Sequence, residues 1–207
     1  KVHADCIAAV RSAAQLCEDL GHTVEESSPQ IDMAVLSDAF MAVWASGLAQ
    51  VIDTIAILTS TEPTMKTVQG LTMGLYEAGK RISAAQYMNA ITMLQGAGRA
   101  VAAWHKTYDV WLTPTLGAPP LAVGAVDTSE RDPQKAFAPI IDYVPFTAIQ
   151  NATGQPAISL PLHWNKAGLP VGVQFVGRFG DEATLLRIAA QLEKARPWKD
   201  KRPPIFG

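Results

Sequence analysis

The chain has 207 residues, long enough to bury a core of its own, and is 48% hydrophobic and 17% charged with a formal net charge of −2. That balance describes a globular protein, and with no basic stripe interleaved with aromatics it excludes a nucleic-acid partner. No apolar run reaches the length of a membrane span, because Asp53 interrupts the best candidate, Val51 to Leu58, so no membrane partner is expected either.

In chain order, Ile7, Val10, Ala14, Cys17 and Leu20 make a helical stripe over residues 5 to 20, closed by Gly21 and capped by Asp5. Thr23 to Ser27 reads as a short strand. Met33 to Leu58 is a long, mostly apolar element with Phe40 and Trp44 four apart. Pro63 breaks the pattern, and Thr64 to Gly79 reads as a helix weakened by Gly70 and Gly74. Ser83-Ala84-Ala85-Gln86 is a capping box; the helix it opens presents Tyr87, Ile91, Leu94, Gly98 and Val101 as its buried face. A strand, Asp109 to Thr113, is stopped by Pro114. The stretch from there through Lys135 has no pattern of its own, which is uncommon in a compact protein and reads either as a loop lining a substrate pocket or as an irregular surface excursion.

The segment from Phe146 to Gln174, FTAIQNATGQPAISLPLHWNKAGLPVGVQ, carries the most information. Ala157 to Leu160 and Val171 to Val176 are apolar strand runs, the second apolar on both faces as under helices on each side. Asn165-Lys166-Ala167-Gly168 and Pro170 supply the turn between them. Asn151 to Pro156 is a tight corner in which Gly154 takes φ > 0. A helix from Asp181 to Arg196 follows.

Three ordered segments, Tyr108 to Thr115, Asn151 to Pro161 and Gly168 to Gln174, resemble the C-terminal portion of the amidase signature family. Within that family, the corner Asn151 to Pro156 and the ending Leu192 to Trp198 are most similar to the hydrolases of cyclic aminohexanoate dimers. The resemblance implies an α/β fold whose mixed central sheet is flanked by helices, with residues 1–207 forming part of a single domain. It also implies a Ser nucleophile, a second bridging Ser and a Lys. Those serines belong to a Gly/Ser-rich segment upstream of the region matched here. Ser27-Ser28 is the chain's only serine pair, and Glu25, Glu26 and Pro29 flank it where glycines would be needed for an oxyanion hole. No Ser-x-x-Lys or Gly-x-Ser-x-Gly occurs. No catalytic residue is therefore expected in this chain, and the chain alone is expected to be inactive. Starting at Lys1 and entering a helix at once, it reads as a fragment or a companion chain, and its apolar excess predicts an exposed hydrophobic face.

Two places are expected to line a substrate pocket. Ligands in α/β sheets bind beyond the carboxyl ends of strands, which selects Thr113 and Thr115. The corner Tyr143 to Thr153 offers Tyr143 and Phe146 as apolar wall and Asn151 and Thr153 as sparse polar contacts, a mixture suited to a small amide. For Asn151 and Thr153 the favoured reading is that they satisfy backbone in the turn, and Gln174 is expected in a buried structural network. In amidotransferase relatives that take ammonia from glutamine, an acidic residue lies seven places before this asparagine. Val144 stands there, with Asp142 two residues off, which counts against glutamine.

Cys6 and Cys17 fall on one helix face too far apart to bridge, and read as small core residues. The histidines at 3, 22, 105 and 163 show no ligand spacing, and His105 reads as a cap or surface residue. No metal or organic cofactor is expected. The expected partners are a small amide substrate and either a missing N-terminal half or a second chain, with a homodimer left open. The expected compartment is the cytoplasm. A non-catalytic binding or companion subunit is the alternative from another class, and a glutamine amidotransferase subunit a weaker one.

Overall fold

The computed structural model describes residues 1–202. The elements run α1 (Ala4–Asp19), α2 (Met33–Thr59), α3 (Gly70–Lys80), α4 (Ala84–Trp104), β1 (Trp111–Pro114), α5 (Pro133–Ile141), α6 (Ala148–Thr153), β2 (Ala157–Trp164), β3 (Pro170–Val176) and α7 (Glu182–Ala195). They divide between two compact units. The first holds Lys1–Pro29, Ala102–Pro120 and the chain from Val144 onward; the second holds Gln30–Val101 and Leu121–Tyr143.

The first unit is built on a sheet of order β1-β3-β2. Both pairings are antiparallel, with Thr113 opposite Gln174 and Gln174 opposite Ser159. The expected α/β character, a sheet flanked by helices, is thus present, and the strands among the described residues pair antiparallel. Asn165 sets the hairpin turn: its side-chain oxygen accepts from Ala167 N at 3.1 Å and Leu169 N at 2.9 Å. Strand alternation then decides the faces. Val173, Phe175, Leu160 and Leu162 pack with Cys6, Ala9, Ala13 and Leu16 of α1 and with Leu185 and Leu192 of α7 in one core.

Several local expectations are corrected here. The α1 face that enters the core is Cys6, Ala9, Ala13, Leu16 and Cys17, offset from the expected stripe, and Ile7 is left 40% exposed. His3, not Asp5, is the N-cap, accepting from Asp5 N at 3.1 Å through Nδ1, because the Asp5 carboxylate is taken by Asn165 Nδ2 at 3.0 Å. Thr23 to Ser27 forms no strand. Its side chains bond outside any ladder: Tyr108 Oη donates to Glu25 at 3.0 Å and Trp104 Nε1 to Ser27 Oγ at 2.9 Å.

His105 is buried rather than exposed. It lies edge-on to Trp104, which stacks on Tyr108. Its Nδ1 donates to Tyr108 O at 3.1 Å, a carbonyl being able only to accept, and its Nε2 has no partner among the described residues. Burial holds its pKa below the ordinary histidine value, against the Tyr108 carbonyl, which raises it. The corner Asn151 to Pro156 is also partly helical: α6 runs to Thr153 and ends at Gly154, which takes the expected positive φ, +78°.

In the second unit, α2 and α3 pack through small residues: a Cβ on Gly79 would meet the Ala45 carbonyl and Ala49 Cβ. Tyr76 Oη donates to Asp53 at 2.8 Å and Lys80 Nζ at 2.6 Å, holding the carboxyl below its usual range. α3 is shorter than expected because Thr64 to Gln69 forms turns, fastened by Thr67. Gly70 and Gly74, read as weak points, permit close approach. A Cβ there would collide with the carbonyls of Ser129 and Arg131. The patternless stretch therefore lies against α3, where Leu71 N donates to Thr128 O at 3.1 Å. The capping box forms as expected, with Gln86 N donating to Ser83 Oγ at 3.2 Å and Ser83 N to Gln86 Oε1 at 2.9 Å. On α4, Ala90 and Val101 are buried, while Tyr87 is left 37% exposed. By length and composition α2 is apolar enough to cross a membrane, its two aspartates, Asp38 and Asp53, being too few charges to disqualify it.

Candidate functional site

On the sheet face away from the α1–α7 core, the first unit gathers hydroxyl and amide groups. Thr113 is buried in β1 and accepts from Gln174 Nε2 at 3.1 Å, the buried network expected for that glutamine. Thr115, just past β1, continues the pairing by donating its N–H to Gly172 O at 3.2 Å. Its Oγ1 lies 2.6 Å from Ser159 Oγ. The two hydroxyls meet over Gly172, where an added Cβ would stand 2.7 Å from Ser159 Oγ and 2.9 Å from Thr115 Oγ1. A side chain at position 172 would therefore displace the pair. Strand alternation, period two, was the signal that could have added Ser159 and Gly172 to the expected residues.

Asn151 and Thr153 form a separate place at the end of α6. Asn151 is exposed and donates from Nδ2 to Thr147 O at 3.1 Å. Thr153 Oγ1 lies 2.7 Å from Ile149 O and also bonds Gln155 Oε1. Both side chains thus satisfy local backbone. Phe146, half-buried, precedes α6 in the same unit. Tyr143, also half-buried, closes the second unit after α5, its N–H donating to Ile140 O at 2.9 Å. Next to Asn151, Gln150 is buried with neither end of its amide paired among the described residues.

Neutral hydroxyls and amides of this kind orient a ligand by hydrogen bonds; they do not supply a base or a strong nucleophile. Cys6 and Cys17 do not supply one either, since burial raises both thiols above their ordinary pKa. Ser27 is bound by Trp104. A shallow cleft of about 370 Å³, lined by residues including His22, Asp109, Arg187 and Gln191, contains none of the expected site residues. Among the described residues no group of three or more His, Cys, Asp or Glu side chains could hold a metal ion.

A helix-covered antiparallel sheet bearing this hydroxyl face and the turn sequence around Asn165 places the chain among α/β proteins of the amidase signature type. The chain belongs to the amidase family, whose model matches residues 1–186. It is 36% identical over 186 residues to a Mycobacterium leprae (strain TN) protein that bears a provisional amidase name, AmiC, covering 90% of this chain and 39% of that protein. It is 30% identical over 210 residues to the 6-aminohexanoate-cyclic-dimer hydrolase of Paenarthrobacter ureafaciens, covering 98% of this chain and 42% of the hydrolase. A solved 6-aminohexanoate cyclic dimer hydrolase, complexed with its substrate, superposes with a TM-score of 0.87 at 27% identity, over 98% of this chain and 44% of that one. The chain therefore spans about two fifths of the length of the curated relatives it matches.

Proposed function

We propose that this chain is the C-terminal part of one amidase domain that hydrolyses a small, non-peptide amide of the aminohexanoate type. The observation that carries this reading is the likeness, along nearly the whole chain, to a hydrolase of aminohexanoate cyclic dimers. In the proposed reaction a serine outside this chain attacks the amide carbon and expels the amine. A lysine takes the nucleophile's proton through a bridging serine, and water then cleaves the acyl-enzyme. No metal or organic cofactor takes part, and the enzyme works in the cytoplasm.

In the first unit Thr113, Thr115, Phe146, Asn151 and Thr153 are the proposed contributors to the pocket wall, with Ser159 added by its bond to Thr115. Hydroxyls already paired with one another are preorganised to receive an amide N–H or C=O. The test is hydrolysis of the aminohexanoate cyclic dimer, of simple aryl and alkyl amides, and of glutamine by the natural polypeptide. Turnover of the cyclic dimer or another small amide, without glutamine, is expected. Turnover of glutamine alone would replace this reading by the amidotransferase one, and no turnover of any amide by the binding-subunit one.

A further inference from the structure

The C-terminal half of α2 has three distinct faces. Ala45, Ala49 and Ile52 are buried, and Gly79 of α3 comes against Ala45 and Ala49. Gln50 and Thr54 make a polar edge, bonded to each other at 3.0 Å. The third face is Leu48, Val51, Ile55 and Leu58, spaced three, four and three residues apart, which aligns them in one stripe over roughly 15 Å of helix. Val51 is 47% exposed, Ile55 53% and Leu58 78%, beside Ile57 at 79%. A helix face meant for water would carry charges here, and none of the four positions does. Contiguous exposed apolar surface of this kind marks an interaction site.

We infer that this stripe is the seat of the portion of the amidase polypeptide lying outside residues 1–207. The inference rests on the reading of this chain as part of a longer amidase. Its occupant follows from coverage: the superposed hydrolase accommodates 98% of this chain in 44% of its own length, so more than half of such a fold lies outside the chain. A covalently continuous partner arrives at high effective concentration. A four-residue stripe in 3-4-3 spacing accepts one helix or strand edge packed along it, with apolar side chains between Val51, Ile55 and Leu58.

The experiment uses the natural full-length polypeptide carrying Ile55→Cys, with Leu58→Cys as a second variant should the first fail to fold and Gln50→Cys as the control on the polar edge. Cys6 and Cys17 are buried and do not interfere. Labelling by a water-soluble maleimide is expected to be at least tenfold slower at positions 55 and 58 than at 50, at every protein concentration and without lipid. Equal rates would overturn the inference. Protection that disappears on dilution would assign the stripe to a second copy, and protection that needs phosphatidylcholine vesicles would assign it to a bilayer; either result overturns it. Intact mass tests the underlying reading separately: a natural preparation holding one polypeptide near 22.2 kDa would remove the longer chain itself.

Discussion

The two units use their apolar residues in opposite ways. In the sheet unit Val173 and Leu192 are fully buried, and Phe175 and Leu162 nearly so, in the core that the sheet shares with α1 and α7. In the helical unit α2 leaves Ile57 and Leu58 almost as exposed as in an unfolded chain. Antiparallel strands and the two helices over them close a core from within this polypeptide. Val51, Ile55 and Leu58 of the α2 stripe stay exposed among the described residues. The difference teaches that apolar residues serve a finished core in one place and an unfinished interface in the other.

Substitutions can break or sharpen that contrast. Phe175→Ala should cost about 3–5 kcal/mol, read by denaturant unfolding, because it opens a cavity under α1 and α7; a cost below about 1 kcal/mol would mean that the core is loose. Gly154→Val should cost about 1–3 kcal/mol in the same measurement, since φ near +78° strains a β-branched residue and Phe179 stands 3.2 Å from the added Cβ. Gly172→Ala should cost about 1–3 kcal/mol by forcing Ser159 and Thr115 apart, and an unchanged midpoint would show that the hydroxyl pair is free to move. By contrast, Ile55→Ala in this chain should shift stability by no more than about 0.5 kcal/mol.

The His105 prediction concerns pH. Its folded pKa is depressed, mainly by burial and further by Arg178, while the Tyr108 carbonyl and Asp109 oppose. The unfolded chain therefore binds more protons below the ordinary value of about 6.5. The stability it contributes is full above that pH and is lost as pH falls through it toward the lower folded value. His105→Gln should flatten the stability–pH curve in that window, and an unaltered slope would place the titration elsewhere.

Much of the sheet unit was legible in the sequence, because its signals are local. The turn at Asn165, the strand runs on either side of it and Gly154 each carry their own stereochemistry, as does the box at Ser83 in the helical unit. What was not legible depended on distant partners. Asp5 lost its capping role to His3 because its carboxylate is engaged by Asn165, 160 residues away. Glu25 and Ser27 left the expected strand for Tyr108 and Trp104, and His105 was drawn into the core by the same aromatic group. Of the proposed pocket residues, the sequence placed Thr113 and Thr115 together. It missed Ser159: alternation gives its face of β2, but its meeting with Thr115 follows only once the register of β2 on β3 is fixed.

The central claim is that the reacting serine lies outside these residues. The most direct test treats both this chain and the natural polypeptide with a fluorophosphonate, which phosphonylates activated serines, and locates the adduct by mass spectrometry of peptides. The account predicts no adduct on this chain and one adduct on the natural polypeptide, at a serine beyond residues 1–207. A single stoichiometric adduct on any serine within residues 1–207 would contradict it.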